Sequence, residues 1–288
     1  MNRNGFATQA IGIYDSGLGG LTVLRALQKQ LPQEPVLYFG DTARVPYGTR
    51  SAAELLTFGR QILTWMGEQG VKMVLVACNT SSALVLEQLQ REFPWPILGL
   101  ILPGARAAVK TGRRIGVLAT PATVQSGAYP RAIREACPQA GVWQVPCPEL
   151  VPLIEQGRSH TPAARHMLRR YLAPLLSVGV DTVIYGCTHY PLLDDLMAEL
   201  LPPQVQRIDP ATALVRAAAQ ELDALGLRHH GSGGVRFGVS GSPQTFARLA
   251  QRWIGTRPSV ETVVLPTLQA LPVMDGLRPP NTQTPWYS

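Results

Sequence analysis

The chain has 288 residues, 45% of them hydrophobic and 16% charged, which excludes a disordered or coiled-coil protein and suits about two packed domains. Basic residues exceed acidic ones to leave a net charge of +7, yet they are scattered, with no run denser than the pairs Arg113–Arg114 and Arg169–Arg170. A solvated basic surface is therefore expected, with no nucleic-acid partner.

Apolar runs such as Met73–Ala77 and Ile97–Leu102 fall far short of the ~20 residues that a membrane helix needs. Met1–Ala10 is polar and carries no apolar export core, so a cytoplasmic protein without membrane contact is expected. In chain order, the first strand is predicted at Ile11–Tyr14 and runs into the glycine-rich turn Gly17-Leu18-Gly19-Gly20. Val36–Phe39 follows as a second strand, then a helix whose start is marked by the capping box Ser51-Ala52-Ala53-Glu54. Met73–Ala77 and Ile97–Ile101 are the next strands, being short, branched-aliphatic and closed by turn residues. The alternation resumes at Ile115–Leu118, Val142–Val145, Asp181–Tyr185, Val205–Ile208, Val235–Val239 and Val260–Leu265. Strands separated by helices in this way predict an α/β protein of mainly parallel sheets flanked by helices.

The pattern contains a duplication. Ile11-Gly12-Ile13-Tyr14-Asp15-Ser16 resembles Ile115-Gly116-Val117-Leu118-Ala119-Thr120, 104 residues on, and Val76-Ala77-Cys78-Asn79-Thr80 resembles Tyr185-Gly186-Cys187-Thr188-His189, 109 residues on. Two pseudo-symmetric lobes are expected, with a seam near Pro96–Gly104. The stretch from Asp209 to Pro266 supplies more strands than the second lobe needs, so it is expected to cross back. That divides the chain into 1–100 plus 209–266, 101–208, and a Pro-rich tail over 267–288 that lies on the surface or is partly disordered. The glycine- and histidine-rich Arg228–Gly234 reads as a mobile loop.

Ligands of open α/β sheets sit beyond the carboxyl ends of the strands. Four segments there are polar or reactive: Asp15–Gly20, Asp41–Gly48, Cys78–Ser82 and Cys187–Pro191. The glycine turn matches neither a P-loop nor a dinucleotide fingerprint, and an acid precedes it, so it reads as a tight turn with glycine supplying positive φ. Of four cysteines, Cys137 and Cys147 lie among Pro, Ala and Val and read as packing residues. Cys78 and Cys187 hold matching places in the repeat and precede residues suited to cap a helix, whose dipole would lower a thiol pKa. Two such thiols could form a redox pair, a metal site or an acid–base pair. Metal ligation lacks paired spacings, a redox pair lacks C-x-x-C, and two acid–base groups facing across a carbon fit best.

Asp15-Ser16-Gly17-Leu18-Gly19-Gly20, Pro46-Tyr47-Gly48, Ala77-Cys78-Asn79-Thr80 and Gly186-Cys187-Thr188-His189-Tyr190-Pro191 together resemble the glutamate racemases, in order and spacing over residues 11–265. The resemblance implies a cofactor-independent, metal-free isomerase that interconverts L- and D-glutamate between two lobes, supplies D-glutamate for peptidoglycan, and forms a homodimer. It implies that Cys78 and Cys187 are the catalytic thiols, the first deprotonating D-glutamate and the second L-glutamate. Asp15, Glu155 and His189 would be the flanking acid–base helpers. Ser16, Tyr47, Gly48, Asn79, Thr80 and Thr188, with Asp15 and His189, would hold the substrate. Pyridoxal phosphate chemistry needs a lysine at the site, whereas Lys29, Lys72 and Lys110 all fall away from strand ends. The competing expectations are a racemase for aspartate or another amino acid, and a two-lobed binder of acidic metabolites whose thiols are dispensable.

Overall fold

The computed structural model describes residues 6–267, so the Pro-rich tail from residue 268 onward lies outside the described residues. The ten predicted strands all form. They are β1 (Ala10–Asp15), β2 (Val36–Gly40), β3 (Val71–Val76), β4 (Ile97–Gly99), β5 (Arg114–Ala119), β6 (Gly141–Pro146), β7 (Thr182–Gly186), β8 (Gln206–Ile208), β9 (Val235–Val239) and β10 (Val260–Thr262). They make two sheets, in the orders β10-β9-β2-β1-β3-β4 and β6-β5-β7-β8, with every pairing parallel.

The duplication is visible in this order. β2-β1-β3-β4 and β6-β5-β7-β8 are the same four-strand arrangement, and β9 and β10 extend the first on its β2 edge. Even local bonds repeat: the Asp41 N–H donates to the Asp15 carbonyl at 2.9 Å, and the Cys147 N–H to the Ala119 carbonyl at 2.8 Å.

Helices cover both faces of each sheet, as burial of parallel strands requires. On the first sheet, Ile11, Ile13, Met73 and Leu75 pack against α1 (Leu21–Gln30), α11 (Pro210–Leu225) and α12 (Pro243–Ile254). Tyr14, Val74 and Val76, pointing the other way, meet α2 (Ala52–Glu68) and α4 (Leu86–Glu92). Between β3 and α4 lies the short α3 (Asn79–Leu84). In the second lobe, α5 (Ile101–Thr111) and α7 (Ala128–Ala136) cover one face, with α6 (Pro121–Ser126) ahead of α7. The opposite face is covered by α8 (Leu150–Glu155), α9 (Pro162–Ser177) and α10 (Asp194–Leu200). The capping box forms as expected: Glu54 N–H donates to Ser51 Oγ at 3.3 Å and Ser51 N–H to Glu54 Oε2 at 3.0 Å.

Three expectations need correction here, the first being the strand predicted over Val260–Leu265, which stops at Thr262. The strand predicted to reach Ile101 stops at Gly99, because the Leu100 N–H is taken by Ser82 Oγ at 3.2 Å and the chain turns into α5. The Arg228–Gly234 segment, expected to be mobile, is tied down. Arg228 pairs with Asp223, the His229 N–H donates to Glu34 Oε1 at 2.9 Å, and the Gly234 carbonyl accepts from Val36 at 2.8 Å.

Candidate active site

The carboxyl ends of β1, β2, β3, β5, β6 and β7 converge on one cavity between the lobes. It is lined by Ser16, Pro46, Tyr47, Gly48, Thr49, Cys78, Asn79 and Thr80 from the first lobe and by Thr120, Pro121, Cys147, Pro148, Val151, Pro152, Cys187, Thr188 and His189 from the second. Of the eleven residues singled out from sequence, nine lie in this wall. Asp15 and Glu155 are the exceptions, standing directly behind it.

Asp15 is fully buried at the end of β1. Its Oδ2 accepts from the Gly17 and Gly20 N–H groups at 3.0 and 2.8 Å, and Thr188 Oγ1 lies 3.5 Å from Oδ1. Burial pushes the Asp15 carboxyl above its usual range, against the pull of the His189 charge and the backbone donors. The glycines of the turn are needed for closeness and not for φ, since none of Gly17, Gly19 and Gly20 has positive φ. A Cβ on Gly20 would stand 2.5 Å from Asp15 Cβ, and one on Gly19 would stand 2.5 Å from Thr188 Oγ1.

Cys78 caps α3 without a side-chain cap hydrogen bond, and the Ser81 N–H and hydroxyl favour its ionised form. That pull towards thiolate is what a helix start should give. It is outweighed: burial, reinforced by the nearby Asp15 charge, pushes the thiol up to about 12. The expectation of a lowered pKa is thus overturned at Cys78 by desolvation. At Cys187 the geometry itself differs, because the segment after it is a 3₁₀ turn over Tyr190–Leu193 capped by His189.

His189 joins the second thiol to Glu155. Its Nδ1 lies 3.7 Å from Cys187 Sγ and its Nε2 lies 2.7 Å from Glu155 Oε1. Burial alone would lower the imidazole pKa, but its bonds and charge interactions with Cys187 and Glu155 raise it well above the ordinary value. Burial would likewise raise the Glu155 carboxyl, and His189 with the Leu18 N–H holds it low instead.

Polar side chains complete the wall. Tyr47 donates its hydroxyl to Asp41, which also receives Arg44 Nε at 2.7 Å and Ser240 Oγ at 2.7 Å, so the Pro46–Thr49 segment is braced from β2. Thr80 Oγ1 meets Thr120 Oγ1 at 3.0 Å across the lobes, and a Cβ on Gly48 would stand 2.8 Å from Thr120 Cβ.

Among the wall residues that sequence reasoning missed, Thr49, Thr120 and Cys147 carry a hydroxyl or a thiol. Thr120 occupies the place of Ser16 in the repeat, a signal that was available. Cys147 corrects the packing-only expectation: its thiol is buried, reaches the Val145 carbonyl at 3.4 Å, and belongs to the cavity. Cys137, by contrast, ends α7 and contacts Gln139 at 3.7 Å, away from the wall.

A family profile described as Asp/Glu/Hydantoin racemase matches residues 20–218. The chain belongs to that family. A glutamate racemase of Rippkaea orientalis is 58% identical over 257 residues, covering 89% of this chain and 92% of that one. Among solved structures of the racemase family, a glutamate racemase isoform of Bacillus anthracis superposes with TM-score 0.87 at 36% identity, covering 90% of this chain and 99% of its own. The Francisella tularensis glutamate racemase, solved in complex with D-glutamate, superposes with TM-score 0.84 at 32% identity, covering 90% and 98%. Two parallel α/β lobes around a central cleft are thus this racemase's architecture as well as theirs. Among the described residues, no helix is long and apolar enough to cross a membrane.

Proposed function

We propose that the protein is a glutamate racemase that inverts the α-carbon with two thiols, Cys78 from the first lobe and Cys187 from the second. One observation carries the reading: the two cysteines follow equivalent strands, β3 and β7, of two equivalent sheets and line the same cavity. Inversion needs a base on one face and an acid on the other, and a single base would have to cross the substrate plane. Two groups brought from opposing lobes satisfy that geometry without movement.

Each thiol has its own helper. Asp15 sits beside Cys78 and makes its thiolate a stronger base, while His189, braced by Glu155, serves Cys187 as a proton partner. Removal of the α-proton places charge on the α-carboxylate. Ser16, Asn79, Thr80 and Thr188, with Thr120 added by the structure, surround the cavity with hydroxyl and amide donors for it. Tyr47 and Gly48 contribute a loop held rigid by Asp41. Relatives that are named glutamate racemases favour this substrate over aspartate.

The same reading places the protein in the cytoplasm, as a homodimer, making D-glutamate for peptidoglycan, with lobes of 1–100 plus 209–266 and of 101–208. Its test is incubation of the dialysed protein with L-glutamate and no added cofactor while optical rotation is followed. Rotation should decay to zero. A preparation that is inert, acts on aspartate instead, or works only with pyridoxal phosphate contradicts the proposal.

A further inference from the structure

Asn79 belongs to the first lobe, yet its side chain is oriented by the second. Its Oδ1 accepts the hydroxyl of Tyr129, on α7, at 2.7 Å. Tyr129 is fully buried and is absent from the cavity wall, whereas Asn79 is 2% exposed and lies in it. The other end of the amide, Nδ2, is buried and has no partner among the described residues. A buried amide nitrogen left unpaired is costly in a native protein, and in a cavity wall a water or a ligand's acceptor can pair it. Two N–H donors side by side suit a carboxylate oxygen.

We propose that Tyr129 is a positioning residue: by donating its hydroxyl to Asn79 Oδ1 across the lobe boundary, it turns the Asn79 Nδ2 donors toward the substrate's carboxylate. This rests on the racemase reading of the cavity and extends it. The tyrosine ring fills the second-lobe core beside Ile133 and Ala105 and would do so equally as phenylalanine. The hydroxyl is the part that acts through Asn79. An amide free to rotate would present its oxygen to the carboxylate half the time, and that orientation is repulsive. Because donor and acceptor belong to different lobes, the oriented amide exists only when the lobes are together, so substrate contact and closure are coupled.

A double-mutant cycle in racemisation of L-glutamate tests this, using wild type, Tyr129→Phe, Asn79→Ala and the double variant, each checked for folding by thermal melting. Tyr129→Phe should lower kcat/KM about tenfold, equivalent to ~1.4 kcal/mol. Asn79→Ala should lower it further, and adding Tyr129→Phe to Asn79→Ala should cost nothing more. If Asn79→Ala does not fold, Asn79→Ser replaces it. A purely structural tyrosine would cost the same factor in both backgrounds, and that result overturns the proposal, as does Tyr129→Phe at wild-type rate. Wild-type protein that binds glutamate without racemising it overturns the function alone, because the same cycle read in Kd still decides Tyr129. Wild type that neither binds nor racemises glutamate overturns both.

Discussion

Replacing Asp15 by Asn and by Ala separates its two duties. The carboxylate accepts two buried backbone N–H groups, from Gly17 and Gly20, and thereby shapes the turn on which Ser16 is carried. Alanine leaves both donors unpaired. At ~1–3 kcal/mol for each, the cost is about 2–6 kcal/mol, a large part of a typical stability of ~5–15 kcal/mol. Asparagine keeps an acceptor oxygen in place and should cost roughly 1 kcal/mol or less. Its effect lies elsewhere. Without the Asp15 charge, one of the causes that push the Cys78 thiol up to about 12 is gone, so thiolate should appear at lower pH. That thiolate is a weaker base, and kcat should fall about tenfold, or ~1.4 kcal/mol, with KM little changed. The assays are chemical denaturation, alkylation rate of Cys78 against pH, and steady-state racemisation. An Ala variant as stable as the Asn variant would refute the turn argument, and an Asn variant with unchanged kcat and unchanged thiol titration would refute the charge argument.

Glu155→Gln should destabilise the protein in a defined pH window. Glu155 is held low and His189 high, so their mutual stabilisation is complete between the ordinary carboxylate and imidazole values, about 4.3 and 6.5. It fades as pH falls through the lowered Glu155 pKa or rises through the raised His189 pKa, and a stability difference from wild type that is flat across pH would count against the pair. Cys147→Met should raise KM by filling the cavity, whereas Cys137→Ser should racemise at the wild-type rate; equal kinetics for the two variants would remove Cys147 from the wall. Lys72, fully buried on Glu34 at 2.6 Å near the start of β3, is structural. Lys72→Met should cost roughly 3–5 kcal/mol by stranding the carboxylate, with kcat of the folded fraction unchanged, and a lowered kcat in fully folded variant would contradict that placement.

The strands and the repeat were legible because buried parallel strands leave short branched-aliphatic runs, and because a duplicated turn keeps its polar residues. Cys78 and Cys187 stood out for the same reason. Thr120 could have been found by pressing the correspondence with Ser16, but Cys147 could not. It follows β6, most of whose residues are only half-buried, and its flanking prolines suggest packing. Depth behind a wall is also invisible in periodicity, so nothing in the sequence set Asp15 and Glu155 behind the residues they brace. Burial was the missing quantity at Cys78, where it overcomes the helix start. At Gly19 and Gly20 the missing quantity was the approach of Thr188 and Asp15, which no local turn preference encodes.

The central claim is that two thiols act from opposite faces of the α-carbon, and the most direct measurement is the early placement of deuterium. L-Glutamate is racemised in deuterated water and stopped after a small fraction has turned over, and the two enantiomers are separated and weighed by mass spectrometry. Removal of the proton by one thiol and delivery of a solvent-derived one by the other predict D-glutamate that carries deuterium at Cα and residual L-glutamate that is almost wholly protiated. D-Glutamate that retains the substrate's own proton, or deuterium appearing equally in both enantiomers from the start, would mean that one group serves both faces and would contradict the account.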